Sequence, residues 1–293
     1  MSQYHDGPLV SIGMPVHNEE PYVAAALASL REQSYPNLEV VVSDNASTDR
    51  TFEICTQHAA EDPRIRVVRF EQNRGATANF QHVLDQARGR YFLWASGHDL
   101  WSPNFVAECV ALLESNDRAC LAFASSNWID ADGAPLTKAS GWTDTRGLGP
   151  VARFFTILWG NMHPILALMR TSELRAYGPV PSMVGSDLAM LAALALRGDF
   201  VHATQATWSR REFRTEPQYG DKLKRYASSE FGLTQSRFAR AFPLLALPIA
   251  LMRIVFRSNI PAIDKLLTVI ALFPSLALRY LTGRRAPIDE AKD

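Results

Sequence analysis

Cysteine is scarce in this chain, with three in 293 residues. Cys55, Cys109 and Cys120 are odd in number, lack metal-ligand spacing, and sit in apolar or helical contexts. They read as buried, reduced thiols, which excludes a disulfide-stapled scaffold and suits a cytoplasmic chain. Net charge is also missing: 30 Lys and Arg offset 30 Asp and Glu, so nothing global calls for nucleic acid as a partner. No charged-then-apolar stretch precedes a small-residue cleavage site near the start, so secretion is not expected. Long apolar runs are lacking too. Ala241–Met252 and Leu266–Leu278 are uncharged over 12 and 13 residues, each broken by proline at Pro243 and Pro248 or at Pro274, and fall short of the roughly 20 that a membrane-spanning helix needs.

What is present is a folded composition, with 47% hydrophobic and 10% aromatic residues, at a length sufficient for one large domain and an appendage. The charge is unevenly placed. Residues 1–221 hold 18 Lys and Arg against 25 Asp and Glu, a net −7, and residues 222–293 hold 12 against 5, a net +7. An acidic body with a basic tail implies different partners for the two parts.

The first half alternates strands with helices. Leu9–Met14 reads as an apolar strand interrupted by Pro15, followed by a helix from Glu20 to Gln33 with Asn18 as its N-cap. Leu38–Val42, Ile65–Phe70 and Arg90–Ala95 read as further strands, with helices at Asp49–Ala60 and Gly75–Ala87 between them. This pattern predicts right-handed βαβ units and an α/β fold with a mostly parallel sheet. Beyond Ala119 the pattern loosens into strands at Cys120–Ala124, Ile165–Met169 and Phe200–Trp208, an Asp132-Gly133 turn, and a helix at Asp187–Leu196.

Three acids stand out because each follows or opens a regular element. Asp44 ends the run Val40-Val41-Val42-Ser43, Asp99 follows Tyr91-Phe92-Leu93-Trp94, and Asp187 opens an apolar helix. In an open α/β sheet the carboxyl ends of the strands form the ligand crevice, so such carboxylates suit a nucleotide ligand that brings a metal ion. An Asp beyond a strand accepts hydrogen bonds from a base or ribose as readily as it caps a helix; for Asp49 the cap is the favoured reading. Asn73-Arg74-Gly75 opens a helix with small residues that let backbone amides approach a phosphate, and Arg74 adds a cation. Asp99 is the strongest candidate to hold Mg2+ or Mn2+, which need only one or two protein ligands beside substrate phosphates. His98 contacts ribose or metal, or is a plain loop residue.

The pieces Val10-Ser11-Ile12-Gly13-Met14-Pro15-Val16-His17-Asn18-Glu19, Ser34-Tyr35-Pro36-Asn37-Leu38-Glu39-Val40, Ser43-Asp44-Asn45-Ala46-Ser47-Thr48-Asp49, Asn73-Arg74-Gly75 and Ala95-Ser96-Gly97-His98-Asp99-Leu100-Trp101 occur in that order. Together they resemble a family 2 glycosyltransferase of the GT-A fold. The resemblance implies a Rossmann-like, mostly parallel sheet flanked by helices over residues 1–221. Its nucleotide-binding half is about 1–118 and its acceptor-binding half about 119–221, and a basic, apolar helical extension follows over 222–293. It further implies inverting transfer, of hexosyltransferase type, from a UDP- or dTDP-sugar to a saccharide or lipid-linked acceptor. Such transfer serves cell-surface polysaccharide or glycolipid synthesis, with a divalent metal.

Residue by residue, Pro15, His17 and Glu19 frame the nucleobase in such enzymes and Asp44 grips it. Asp99 meets the metal ion, while His98 stands where a further acid is usual. Asp187 matches the catalytic base, which must take a proton from the attacking hydroxyl. Arg211 or Arg214 matches the basic stretch that closes over the diphosphate. Trp101, Trp128, Trp142 and His163 are further candidates for sugar contacts, against ordinary packing.

The apolar tail segments, flanked by Arg253, Arg257, Lys265, Arg279, Arg284 and Arg285, suit helices in a membrane interface on the cytoplasmic face. Packing onto the body or onto a second subunit, as a homo-oligomer, is the competing reading. Two other functions are weighed. A non-catalytic nucleotide-sugar-binding or scaffolding protein would explain the reduced acidic motif. A nucleotidyltransferase would carry a Gly-rich, basic loop after the first strand, and Met14-Pro15-Val16-His17-Asn18 has none.

Overall fold

The computed structural model describes residues 7–138, 144–160, 164–181, 183, 185–212 and 243–281, with backbone alone at 243–244 and 279–281. The predicted βαβ half is present as β1 (Val10–Val16), α1 (Val23–Arg31), β2 (Leu38–Asp44), α2 (Thr51–Glu61), β3 (Ile65–Arg69), α3 (Ala76–Asp85) and β4 (Tyr91–Trp94). β3, β2, β1 and β4 lie side by side, and all three pairings are parallel. β1 and β2 are apolar along most of their length, as strands covered on both faces must be. Val10, Ile12, Met14, Val41 and Val42 are fully buried.

Pro15 does not stop β1. It pairs with Ser43 in the β1–β2 register, while the β1–β4 register already ends at Gly13 and Trp94. Gly13 C=O accepts from Ala95 N–H on the β4 side. Residue 15 faces that same side two positions later, so the missing N–H of proline falls where no neighbour remains to receive it. Asn18 differs from its expected role as well. It sits at φ 54°, and α1 begins later, at Val23, after Glu19 C=O accepts from Tyr22 and Val23 N–H. Asn18 instead clasps the loop before α2, where its Oδ1 accepts from Thr48 N–H at 2.8 Å.

The second half joins the same sheet in non-sequential order. It contains β5 (Leu100–Trp101), α4 (Phe105–Glu114), β6 (Ala119–Ile129), β7 (Pro135–Leu136), α5 (Pro150–Trp159), β8 (Leu168–Arg170), α6 (Thr171–Tyr177), α7 (Ser186–Arg197) and β9 (Asp199–Arg211). The sheet runs β3-β2-β1-β4-β8-β6-β9-β5, with β7 paired to β6. β8 is antiparallel to both β4 and β6, and β5 is antiparallel to β9, whereas β6 and β9 run parallel. The antiparallel strands therefore enter only beyond β4, and one sheet crosses from the first half to the second. The Asp132-Gly133 turn is present: Gly133 takes φ 91°, and Asp130 Oδ1 accepts from Asp132 and Ala134 N–H.

α8 (Pro243–Arg257) and α9 (Ala262–Leu281) follow. Pro248 and Pro274, expected to break these segments, lie inside the helices. An interior proline costs about 3 kcal/mol, offset here by burial of Leu251, Val255, Leu272 and Leu276 against the body. α8 packs on α7, and α9 on α5 and α8. The expected boundary at 221/222 lies outside the described residues. No described helix is long and apolar enough to cross a membrane. The three cysteines are buried, unbridged thiols, and burial pushes Cys55 and Cys120 up to about 12.

One buried carboxylate pins the amino ends of β1, β2 and β4. Glu39 accepts from Ser11 Oγ at 2.6 Å, from Arg88 N–H at 3.0 Å and from Arg88 Nε at 2.9 Å, while Gly89 N–H donates to Ser11 Oγ at 2.8 Å. Burial pushes the Glu39 carboxyl up, but the hydrogen bonds from Arg88 and Ser11 outweigh it and hold the group below its ordinary value. A depressed folded value gives stability that is complete above the unfolded value of about 4.3 and is lost as pH falls through the folded one. Glu39→Gln is therefore expected to cost about 1–3 kcal/mol near neutrality. In urea unfolding, the gap between wild type and variant narrows as pH is lowered below about 4.

Candidate active site

The loops after β1, β2, β3 and β4 meet at the carboxyl edge of the parallel strands, and they are held by one another's backbone. Asn18 N–H donates to Ser47 Oγ at 2.9 Å, Glu19 N–H to Thr51 Oγ1 at 2.7 Å, and Glu20 N–H to Asp49 Oδ2 at 3.1 Å. Asp49 Oδ1 also accepts from Thr51 N–H, the first residue of α2. Burial raises the Asp49 carboxyl, but hydrogen bonds from Thr51 and Glu20 outweigh it and hold the group low. Asn73 ties in the third loop: its Oδ1 accepts from Asn45 Nδ2 and Gly75 N–H, both at 2.8 Å, and its Nδ2 lies 3.2 Å from His17 Nε2. Gly75 stands at φ 83° at the mouth of α3, a conformation costly to any side chain. Arg74 N–H donates to Asn45 Oδ1, and its guanidinium lies over the Phe70 ring at 4.4 Å.

Asp44 lies where expected, at the end of β2, but it is fully buried. Its carboxylate accepts from Ser47 O–H and N–H and pairs with Arg69 Nε at 3.1 Å. Among the described residues, two buried polar atoms of these loops have no hydrogen-bond partner, His17 Nδ1 and Ser96 Oγ. Unpaired buried polar atoms are uncommon, and these two suit a polar ligand.

The fourth loop contributes His98 and Asp99, whose settings differ. His98 Nδ1 lies 3.0 and 3.2 Å from the two oxygens of Glu19. The close approach requires Gly97, where a Cβ would stand 2.9 Å from Glu19 Cγ and 3.0 Å from Val16 Cγ1. Asp99 is turned inward, its side chain 3% exposed against 23% for His98. Its Oδ2 accepts from Trp208 Nε1 and its Oδ1 from Arg211 N–H, both at 2.9 Å. Both Asp99 oxygens are thus engaged within the protein, while His98 and Glu19 beside it are more exposed, their side chains at 23% and 12%.

Arg211 is nine-tenths buried and committed to the protein. Its Nε donates to His98 C=O at 2.9 Å, its Nη1 to Asp130 and Ala131 C=O at 3.0 and 2.8 Å, and its guanidinium lies 4.9 Å from the Tyr22 ring centroid. It joins the end of β9 to the β1 and β4 loops and the β6–β7 turn. Sequence reasoning named Arg211 but missed its partners Tyr22, Asp130 and Ala131. No local signal marks them, because β9 reaches them only through the sheet.

Asp187 lies on the first turn of α7, where the helix dipole favours an ionised carboxylate. Gly185, at φ 82°, makes the turn into the helix, and Leu247 of α8 lies against it. α7 is buried on nearly all sides between the sheet, α5 and α8. Among the tryptophans, Trp101 is in the core, and Trp128 is faced by Arg210 and Lys138 at 4.7 and 4.9 Å. Trp142, His163 and Arg214 lie outside the described residues.

A sheet of this order, with polar loops at its carboxyl edge, defines an α/β fold of the GT-A kind. The chain belongs to glycosyl transferase family 2, whose family model matches residues 11–173. It is 33% identical over 132 residues to the Bacillus subtilis protein named "Putative teichuronic acid biosynthesis glycosyltransferase TuaG". That match covers 45% of this chain and 52% of the relative, so the chain spans about half the length of that relative. The structure of S. aureus TarS 1-349 with UDP-GlcNAc superposes with a TM-score of 0.68 at 15% identity, covering 92% of this chain and 73% of that one. The Pyrobaculum calidifontis mannosyltransferase PcManGT with GDP-Man and Mn2+ gives 0.55 at 19% identity, covering 97% and 90%. These likenesses carry the fold.

Asp99→Asn leaves Trp208 Nε1–H or Arg211 N–H facing an amide donor. The expected cost is about 1–3 kcal/mol, read as a lower melting temperature. Asp187→Asn, on a different element, leaves the melt near wild type.

Proposed function

We propose that this chain transfers a sugar from a nucleotide-diphosphate donor to an acceptor hydroxyl with inversion, in the synthesis of a cell-surface polysaccharide or glycolipid. The observation that carries this reading is the cluster of four loops around His17, Asn73, Glu19 and His98, with His17 Nδ1 and Ser96 Oγ unpartnered. The family membership and the donor-bound relatives support it. His17, Asn73 and the opening amides of α3, which follow Arg74 and Gly75, hold the nucleoside and its phosphates. Asp44, through Ser47 and Arg69, keeps the base-binding loop in shape.

A divalent cation would be held by Glu19 of the first loop and His98 of the fourth together with donor phosphate oxygens, and when bound it would offset charge on the leaving diphosphate. An imidazole in the set suits Mn2+ better than Mg2+. The chain's own chemistry rests on Asp187. Its carboxylate takes the proton of the acceptor hydroxyl as that oxygen bonds to the anomeric carbon and the bond to the diphosphate oxygen breaks. The products are the glycoside and a nucleoside diphosphate.

Thermal-shift titration with UDP-, dTDP- and GDP-sugars, with and without Mn2+, is expected to show stabilisation by at least one donor. Failure of all of them overturns the reading. Asp187→Asn is expected to keep donor binding and lose about 10²–10⁴-fold in turnover; full transfer by that variant removes Asp187 from the role of base. Donor binding without any release of nucleoside diphosphate would favour a non-catalytic binding protein. Glu19→Gln is expected to remove the stabilisation that Mn2+ adds to donor binding.

A further inference from the structure

α9 is apolar on the wrong side for a helix at a water-facing surface. Its inner face, Thr268, Leu272 and Leu276, is buried, as its packing on α5 and α8 requires. Its outer positions from 262 to 278 are Ala262, Ile263, Leu266, Leu267, Ile270, Phe273, Pro274, Ala277 and Leu278, all exposed and none charged. The spacing is that of one continuous helical stripe. Six of these side chains are large and between 49% and 61% exposed, and Phe256 at the end of α8 is 62% exposed. Elsewhere among the described residues, the large exposed apolar side chains are only Trp159 and Leu245. An apolar face of this extent marks a docking surface.

The charge around the stripe selects its occupant. Arg253 and Arg257 are exposed on α8 beside Phe256, and Lys265, whose Nζ reaches Phe256 C=O at 3.0 Å, stands at the start of the stripe. Residues 222–293 as a whole carry 12 basic against 5 acidic groups. A second copy of the chain would bring the same excess of positive charge against itself. An apolar face bordered by cations matches instead a bilayer surface with anionic headgroups, where apolar burial and electrostatic attraction add. We propose that the outer face of α9, with Phe256 and the basic groups of α8, docks the protein on an anionic membrane interface without crossing it.

The placement has a consequence for the candidate site. α8 separates the stripe from α7, and Leu247 of α8 touches Gly185, two residues before Asp187. Docking through α9 therefore holds the helix that carries the candidate base one helix layer from the lipid. That geometry favours an acceptor hydroxyl presented on a lipid carrier. This consequence rests on the transfer reading above, whereas the docking surface does not.

Flotation of the full chain with phosphatidylcholine vesicles, with and without phosphatidylglycerol, tests the proposal. The expected result is binding that needs phosphatidylglycerol and weakens as salt is raised. Ile270→Glu with Phe273→Glu is expected to lower the partition coefficient by about tenfold or more, with the melting temperature and donor-induced thermal shift unchanged. Leu267→Glu alone provides a second variant at an exposed position. Failure of the wild type to float, or flotation of both variants as well as wild type, overturns the proposal. A concentration-dependent dimer that the variants lose, without vesicle binding, overturns it in favour of a second copy. Loss of vesicle binding with the donor shift intact leaves the docking surface standing whatever the fate of the transfer reading.

Discussion

One carboxylate at the β4–β5 corner ties the far end of β9 to the parallel half of the sheet. Asp99 accepts from Trp208 Nε1 and Arg211 N–H, and so fastens the far end of β9 to the loop that ends the parallel strands. A buried carboxylate without donors costs far more than a hydrogen-bonded one, so the corner and the end of β9 are stable only together. The consequence reaches the surface. With Asp99 turned inward, His98 is left facing Glu19, and Arg211 is drawn in to bind His98, Asp130 and Ala131 through their carbonyls. The polar mouth of the site is thus built by what the charged residues around it give up to the interior.

The same economy governs Asp44. It ends a fully buried strand, and its charge is met by Arg69 and its oxygens by Ser47. Both acids are engaged by the loops around them, while the polar groups less committed to the interior are His17, Glu19, His98 and the amides at the start of α3. A site of this kind offers hydrogen bonds from loops that are already held in place. At the opposite end of the chain, α8 and α9 reach the body through α7 and α5. The surface that is basic and apolar is thereby mechanically continuous with the helix carrying Asp187.

Much of this was legible in the residues. Apolar runs bounded by turn signals located β1 to β4 and the helices between them, because in a doubly covered parallel sheet the central strands are mostly apolar. The motif order placed the four loops correctly at one edge. Pro15 misled, since a proline in a strand reads as a stop unless one knows that its neighbour on that side has already ended. Pro248 and Pro274 misled for a different reason, because packing against the body outweighs the local cost. β5 carries no periodic signal, being two residues long, and although Ile165–Met169 reads as a strand that overlaps β8, nothing local says that it enters the sheet antiparallel.

Local sequence by itself determined which elements form and which polar residues stand at their ends, since backbone periodicity and side-chain polarity act over a few residues. Only the tertiary structure decided where those polar residues point. Asp99 and His98 are neighbours in the chain, and nothing within ten residues of them says which one turns inward. That choice was made by an indole N–H and a backbone N–H more than a hundred positions away, because a buried carboxylate goes where donors are already fixed to receive it.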